Sequence, residues 1–437
     1  MAAQTHPLAQ GRPVYVVDGA RSPFLRARGR PGPLLASDLA FQSGRALLYR
    51  QPFAPDALDQ VILGCVMPGP NEVNIARVVA LRLGCGHKVP AWTVQRNCAS
   101  GLQALDCAAR DIASGRSELV LAGGCEAMSH APLLFSTAMA AWLGRLNGAR
   151  TLPQRLQVLA AFRPAFLKPV IGLLCGLTDP IVSLNMGQTA EILAHEFGIE
   201  RPDMDAFALR SHQRLDAATR EGRLEEIETV YDTRGGYYEH DDGCRPDSTL
   251  EDLARLKPAF ERPFGRITAG NSAQITDGAA WLILASEQAV QAHGLPVLGR
   301  ILDSQWAGLD PARMGLGPVH AMAPILERNA LDSSDIDYWE INEAFAAQVM
   351  ACLRAWCDVD FCREQLGLEQ AFGPIDENRL NVDGGGISIG HPVGASGARI
   401  VLHLLKTLQR EQGRRGMASL CIGGGQGGAM LVERVDA

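Results

Sequence analysis

Residues 97–128 read NCASGLQALDCAARDIASGRSELVLAGGCEAM, and residues 394–430 read GASGARIVLHLLKTLQREQGRRGMASLCIGGGQGGAM. Each stretch opens on Ala-Ser-Gly, at 99–101 and again at 395–397. The apolar spacing that follows predicts a helix over Leu102–Ile112 in the first and Ala398–Leu408 in the second. A short apolar strand comes next, Glu118–Ala122 or Met417–Ile422, and then a glycine turn, Gly123–Gly124 or Gly423–Gly428. A fainter pair agrees: Ala57-Leu58-Asp59 leads into Val61–Leu63, and Ser334–Asp337 leads into Tyr338–Ile341. Long-period self-similarity of this kind points to a duplicated α/β unit. The alternation of strands and helices predicts a mostly parallel sheet covered on both faces.

Between the two copies, residues 129–271 follow another plan. They are rich in charge, with helical pattern at Thr189–Phe197 and Met204–Gly222 and turns at Gly235-Gly236 and Asp241–Gly243. We read an inserted, lid-like loop domain with substrate contacts. The chain then divides into a first half (1–128 with 272–294), the insertion (129–271) and a second half (295–437). Phe162–Leu177 is apolar but broken by Pro164, Lys168 and Pro169. It reads either as a buried hairpin or dimer contact, or as a peripheral membrane or partner-protein patch.

The bulk properties narrow the field. A chain of 437 residues exceeds one ordinary core. With 47% hydrophobic and 20% charged residues it has a soluble globular balance. A net charge of −7 without any long Lys/Arg run argues against nucleic acid. The eleven cysteines are scattered, without the spacing of a zinc site, and point to reduced thiols in a cytoplasmic setting. Met1–Pro13 shows no apolar leader core, and no segment has the length and apolarity of a bilayer span.

Four places could carry chemistry. Cys98 follows the strand Trp92–Val94 and precedes a helix start, where the helix dipole favours a thiolate and backbone N–H groups can bond an oxyanion. A small buried hydrophobe is the plain alternative for any cysteine. His391 lies between glycine turns at the repeat position matching the Cys98 helix, which suits a general base. Cys421 adjoins a glycine run that lacks the Lys-Ser or Lys-Thr of a P-loop. Asn342-Glu343 closes a strand, where an amide and a carboxylate can orient water or substrate, although Asn342 alone also suits a helix N-cap.

Taken in order, NCASG (97–101), NEAFA (342–346), GHPVGASG (390–397) and CIGGGQG (421–427) resemble the four signature blocks of the thiolases. The likeness extends from GARSPF (19–24) to GGAMLVER (427–434). The insertion, with RSH (210–212), LKPAF (256–260) and NSAQITDGAA (271–280), is most similar to the thiolase subunits of fatty-acid β-oxidation complexes. The resemblance implies a duplicated five-layer α-β-α-β-α fold. It implies an enzyme that cleaves 3-ketoacyl-CoA with CoA, which serves as substrate, without metal or redox cofactor. It also implies roles. Cys98 would carry the acyl group, and His391 would activate it and help hold the enolate oxygen with a water placed by Asn342. Cys421 would shuttle the proton, and the N–H groups of Cys98 and Gly423 would form a second oxyanion hole. Met186, Arg245, Ser272, Ala344 and Phe345 would contact CoA or substrate. A homodimer or tetramer is implied, as is association with a hydratase/3-hydroxyacyl-CoA dehydrogenase subunit.

Three departures from the pattern concern substrate preference and the water site. Asn185-Met186 stands where many thiolases have His-Met, and Asn271-Ser272-Ala273 shifts a serine hydroxyl to Ser272. Asn342 stands where the mitochondrial subunits carry histidine. Rival readings are a decarboxylating condensing enzyme, against which Cys421 speaks, a short-chain acetoacetyl-CoA thiolase working in either direction, and a non-catalytic acyl-CoA carrier or anchoring subunit.

Overall fold

The computed structural model describes residues 11–435; most of the expectation about an apolar leader falls on residues 1–10, outside them. Nine main strands form one hydrogen-bonded path in two sets. The first set runs Ala91–Val94, Gln60–Gly64, Leu119–Ala127, Thr276–Ala285 and Val14–Arg21. The second runs Gly299–Gly308, Gln426–Glu433, Arg415–Ile422 and Tyr338–Ile341. Val14–Val16 pairs with Gly299–Ile301, so the sets join along an edge by three residues.

The period-two alternation of the strands explains the layering. In Thr276–Ala285, the side chains of Ala279, Trp281 and Ile283 face one core, while Ala280, Leu282 and Leu284 face another. In Arg415–Ile422, Ala418, Leu420 and Ile422 meet that second core from the far side, while Met417 and Cys421 turn to a third. Helices Ala36–Tyr49 and Ile75–Arg82 cover the first core, and Ser100–Ala113 and Ser396–Arg410 fill the middle one. Gly317–Arg328 and Ala346–Cys357 cover the third. The result is five layers, α-β-α-β-α, with the two Ala-Ser-Gly helices of the repeat back to back at the centre.

Two expectations need correcting. The sheet is mixed rather than mostly parallel. Thr276–Ala285 returns from the insertion antiparallel to both of its neighbours, and Arg415–Ile422 turns directly into the antiparallel Gln426–Glu433. A strand reached through a long insertion, or by a tight glycine turn, is not bound to the parallel sense that a helical crossover imposes. The glycines at 123–124 are also not a turn, because the strand runs on through them to Ala127. They are small because the chains crowd there: a Cβ on Gly124 would stand 1.9 Å from the Gly394 carbonyl oxygen.

Within 129–271, helices Met186–Glu196 and Arg201–Arg220 bury Ala190, Leu193 and Met204 in the third core. The stretch before them is different. Val170–Ile171 pairs with Leu133–Leu134, but of the readings open for Phe162–Leu177 a hairpin buried within the chain is not what forms. Leu133, Phe135, Leu167 and Leu174 are each more than half exposed. Among the described residues, no helix is long and apolar enough to cross a membrane.

A buried ion network ties the insertion to both halves. His403 Nδ1 lies 3.0 Å from Glu226 and Nε2 lies 3.1 Å from Asp383; Arg21 joins Glu226 to Asp241, and Arg410 pairs with Asp383. Burial pulls the His403 pKa down, but the facing carboxylates outweigh it and hold it up at about 9, against an ordinary 6.5. A raised folded-state pKa adds stability that is complete below the unfolded value and lost as pH climbs through the folded one. We expect His403→Gln to cost about 3 kcal/mol at pH 6. The gap to wild type should close by pH 10, as read from urea unfolding at both values. A gap that is constant with pH would mean that His403 is neutral in the folded protein.

Candidate active site

The close crossing of the two central helices assembles the site. A Cβ on Gly101 would lie 2.8 Å from the Gly394 oxygen, and one on Gly397 would lie 2.4 Å from the Leu102 nitrogen. Only glycine at both crossings lets the helix starts touch. Cys98 and His391, each just upstream of one helix, are thereby carried to the same end of the middle layer.

Cys98 sits on a strained turn. Asn97 has φ of 43°, and its amide donates to the Gly423 oxygen at 2.8 Å. Ser100 closes the turn through its hydroxyl, which receives the Arg96 N–H and donates to the Asn97 oxygen. Here the outcome differs from expectation. Burial lifts the Cys98 pKa above the ordinary thiol value, and the hydrogen bond from the Gly423 backbone opposes it only in part. Desolvation outweighs the helix terminus, so the resting group is a thiol that needs a base. Cys421 is buried, and its pKa is raised strongly by burial and then by the neighbouring Cys98. The two sulfurs therefore share one electrostatic environment.

His391 is buried and pushed down to about 4, first by desolvation and then by Arg399, so it is neutral at pH 7. Its Nδ1 meets the Ser396 hydroxyl at 2.6 Å, and that hydroxyl also reaches the Pro392 oxygen at 3.1 Å. If the single hydroxyl proton goes to Pro392, Nδ1 carries the ring proton and Nε2 is left free to accept one. The Asn342 amide nitrogen lies 3.5 Å from both ring nitrogens, while its Oδ1 is buried with no partner. Such an orphaned acceptor suits a bound water or a substrate group. Glu343 is not available for that work. Its carboxylate receives Ser211, Asn381 and the Ile387 N–H, and so serves the fold.

The remaining expected residues divide. The position of a Gly423 Cβ would be 3.4 Å from the Met186 sulfur, so these two line the same space. Asn185 is absorbed as the N-cap of the helix Met186–Glu196. Ala344 and Phe345 are buried alongside Ser272, which bridges to Phe345; the Ser272 hydroxyl donates to the Thr268 oxygen at 2.6 Å. Arg245 stands apart on the 241–245 loop. That loop reaches the His391 segment through Gln274, whose amide donates to the oxygens of Gly243 and Ile387.

Sequence reasoning passed over Glu126. Fully buried, it accepts the N–H groups of Val66, Met67 and Gly394, and burial raises it to about 7 despite them. One carboxylate thus ties the 65–67 loop to the His391 loop. Its signal was a lone acid in an otherwise apolar run, LVLAGGCEAM. Ser396 was read only as a small helix opener.

Residues 14–288 match the family described as thiolase, N-terminal domain, and residues 295–434 match thiolase, C-terminal domain. The chain belongs to the thiolase family. A β-ketoadipyl-CoA thiolase of Pseudomonas aeruginosa is 40% identical over 97% of this chain and 100% of its own length. The mitochondrial trifunctional enzyme subunit beta of Bos taurus is 37% identical over 97% of this chain and 88% of that protein. Among solved structures, human mitochondrial 3-ketoacyl-CoA thiolase in complex with CoA superimposes with a TM-score of 0.83 at 34% identity, covering 99% of this chain and 100% of that one. This thiolase is thus an acyltransferase of the class that performs CoA-dependent thiolytic cleavage.

Proposed function

We propose that this thiolase cleaves 3-ketoacyl-CoA in fatty-acid β-oxidation, with Cys98 as the nucleophile. His391 takes the Cys98 proton, and the sulfur attacks the C3 carbonyl carbon. The C2–C3 bond breaks, and its electron pair passes to an enolate whose oxygen is held by His391 and a water on Asn342. Cys421 gives a proton to C2, releasing acetyl-CoA. It then takes the proton of an incoming CoA thiol, which displaces the shortened acyl group from Cys98. The N–H groups of Cys98 and Gly423 hold the thioester oxygen. CoA is a substrate here, and the steps call for no metal or redox group.

The observation that carries this reading is the convergence of a partly buried thiol, a fully buried thiol and a neutral imidazole with an amide oxygen left unpaired. The apolar Met186 beside Gly423, next to the thiols, favours an unbranched alkyl chain over a carboxylated one. The test is CoA-dependent cleavage of a panel from acetoacetyl-CoA to long-chain 3-ketoacyl-CoA, with 3-ketoadipyl-CoA included. We expect kcat/KM to rise with chain length. Activity confined to acetoacetyl-CoA would instead make it a short-chain enzyme, and preference for 3-ketoadipyl-CoA would align it with the Pseudomonas relative.

We further propose that the exposed apolar face around Leu133–Phe135 and Leu167–Leu174 docks a hydratase/3-hydroxyacyl-CoA dehydrogenase subunit, on a thiolase that is itself a homodimer or tetramer. The resemblance to a trifunctional-enzyme subunit and the exposure of those side chains support this. Gel filtration with such a subunit should give one joint peak; two independent peaks would sink the idea. The eleven free thiols fit a reducing compartment such as the cytoplasm.

A further inference from the structure

The side chain of Glu126 is fully buried, and the groups bonded to it are donors. Its Oε2 receives the Val66 N–H at 2.9 Å and the Gly394 N–H at 3.1 Å. Its Oε1 receives the Met67 N–H at 3.0 Å and faces the Cys65 thiol at 3.7 Å. Three N–H groups and a thiol suit a carboxylate. Adding a proton makes one oxygen a donor and a poorer acceptor, so the set no longer matches. The Gly394 bond is the longest of the three N–H bonds and the weakest held.

These bonds reach both reacting residues. Gly394 lies three residues after His391, whose own N–H is held by the Gln274 oxygen at 3.2 Å. A side chain on Gly394 would collide with the Cys125 oxygen, so this loop seats directly on the end of the strand Leu119–Ala127. On the other side, the Cys65 N–H donates to the Val94 oxygen at 3.1 Å, and Val94 leads in four residues to Cys98. One carboxylate thus spans the loop that carries the base and the strand that delivers the nucleophile. Its charge works in the opposite sense. Burial is the main cause that lifts the Cys98 pKa, and the Glu126 charge adds to it, so electrostatics alone would make this residue a hindrance.

We propose that ionised Glu126 is a positioning residue for acyl transfer, holding His391 and the Cys98 turn at the spacing their proton exchange requires, and that its protonation releases Gly394 and slackens the site. The titratable groups facing it are Cys65, Cys98 and Cys125, and raised pKa values keep all three as thiols near neutral pH. Glu72, beyond Cys125, receives the Ser37 hydroxyl, and Asp277 on the neighbouring strand turns to Ser129. Burial, opposed by the backbone bonds, brings Glu126 itself to about 7.

Single-turnover acylation of Cys98 by a simple acyl-CoA, followed by intact mass on the full chain from about pH 5.5 to 8, tests this. In the wild type the rate at saturating acyl-CoA should fall about tenfold per pH unit below about 7. Protonation of His391 would place the fall near 4 instead, so a profile that stays level down to about pH 5.5 overturns the proposal. Glu126→Gln keeps the shape but turns one acceptor into a donor. It should slow acylation about a hundredfold, the scale of a misplacement of about 1 Å, and flatten the profile while acyl-CoA affinity is unchanged. Glu126→Asp should retain the acid limb, because it retains the charge. A glutamine variant as fast as wild type, or faster, would mean that the carboxylate acts only on the Cys98 charge, and overturns the proposal. The wild-type profile needs no variant, so it decides the matter even where the glutamine protein does not fold. The proposal rests on Cys98 as the acylated residue and His391 as its base. Acylation of the wild type at about pH 8 reads that pair by itself, so the two readings fail separately.

Discussion

On the proposed mechanism, Cys98→Ala should leave a folded protein in which 3-ketoacyl-CoA cleavage falls by about four orders of magnitude or more, since Cys98 carries the acyl chain. The side chain is small and only partly buried, so its loss leaves the three cores intact. Cys98→Ser should be equally silent. The thiol is already harder to ionise than usual because of burial, and a hydroxyl in the same place is far harder still. Intact-mass measurement after mixing with an acyl-CoA separates the cases: wild type gains the acyl mass and both variants gain none. Acylation of Cys98→Ser would show that the nucleophile lies elsewhere.

Cys421→Ala should split the reaction in two. In the proposed mechanism, acylation of Cys98 by a simple acyl-CoA uses His391 and the backbone donors and not Cys421, so it should survive. Carbon–carbon cleavage needs a proton delivered to C2, and it should drop by about two to four orders of magnitude. The raised pKa of Cys421, caused first by burial and then by the nearby Cys98, keeps its proton in place at neutral pH and so suits it to be the donor. Single-turnover acylation and steady-state cleavage, measured on the same preparation, make the comparison. Equal loss of both steps would remove the separate proton-shuttle role.

Much of this was legible before any coordinates. The two Ala-Ser-Gly helices were found within a few residues of their observed limits, Ser100–Ala113 and Ser396–Arg410. A helical period and a small-residue start are local properties of the chain. The five layers follow the family resemblance and agree with the three cores. Strand direction did not show, because a period of two looks the same in parallel and antiparallel pairs. The exposure of Phe162–Leu177 did not show either, since apolar composition alone cannot say whether another layer covers it.

The sequence by itself determined the duplicated plan, the family, and the order of Cys98, Asn342, His391 and Cys421 along the chain, because these rest on period, spacing and side-chain chemistry. Only the tertiary structure decided which of those groups are charged. Burial, which no local pattern encodes, raises the Cys98 pKa and lowers that of His391, so it holds the pair as thiol and neutral imidazole against the helix-terminus effect that the local sequence favours. It likewise decided that Glu126 ties the 65–67 loop to Gly394, which lies 268 residues beyond the carboxylate itself. Such pairings arise when distant segments pack, and desolvation then sets their energies.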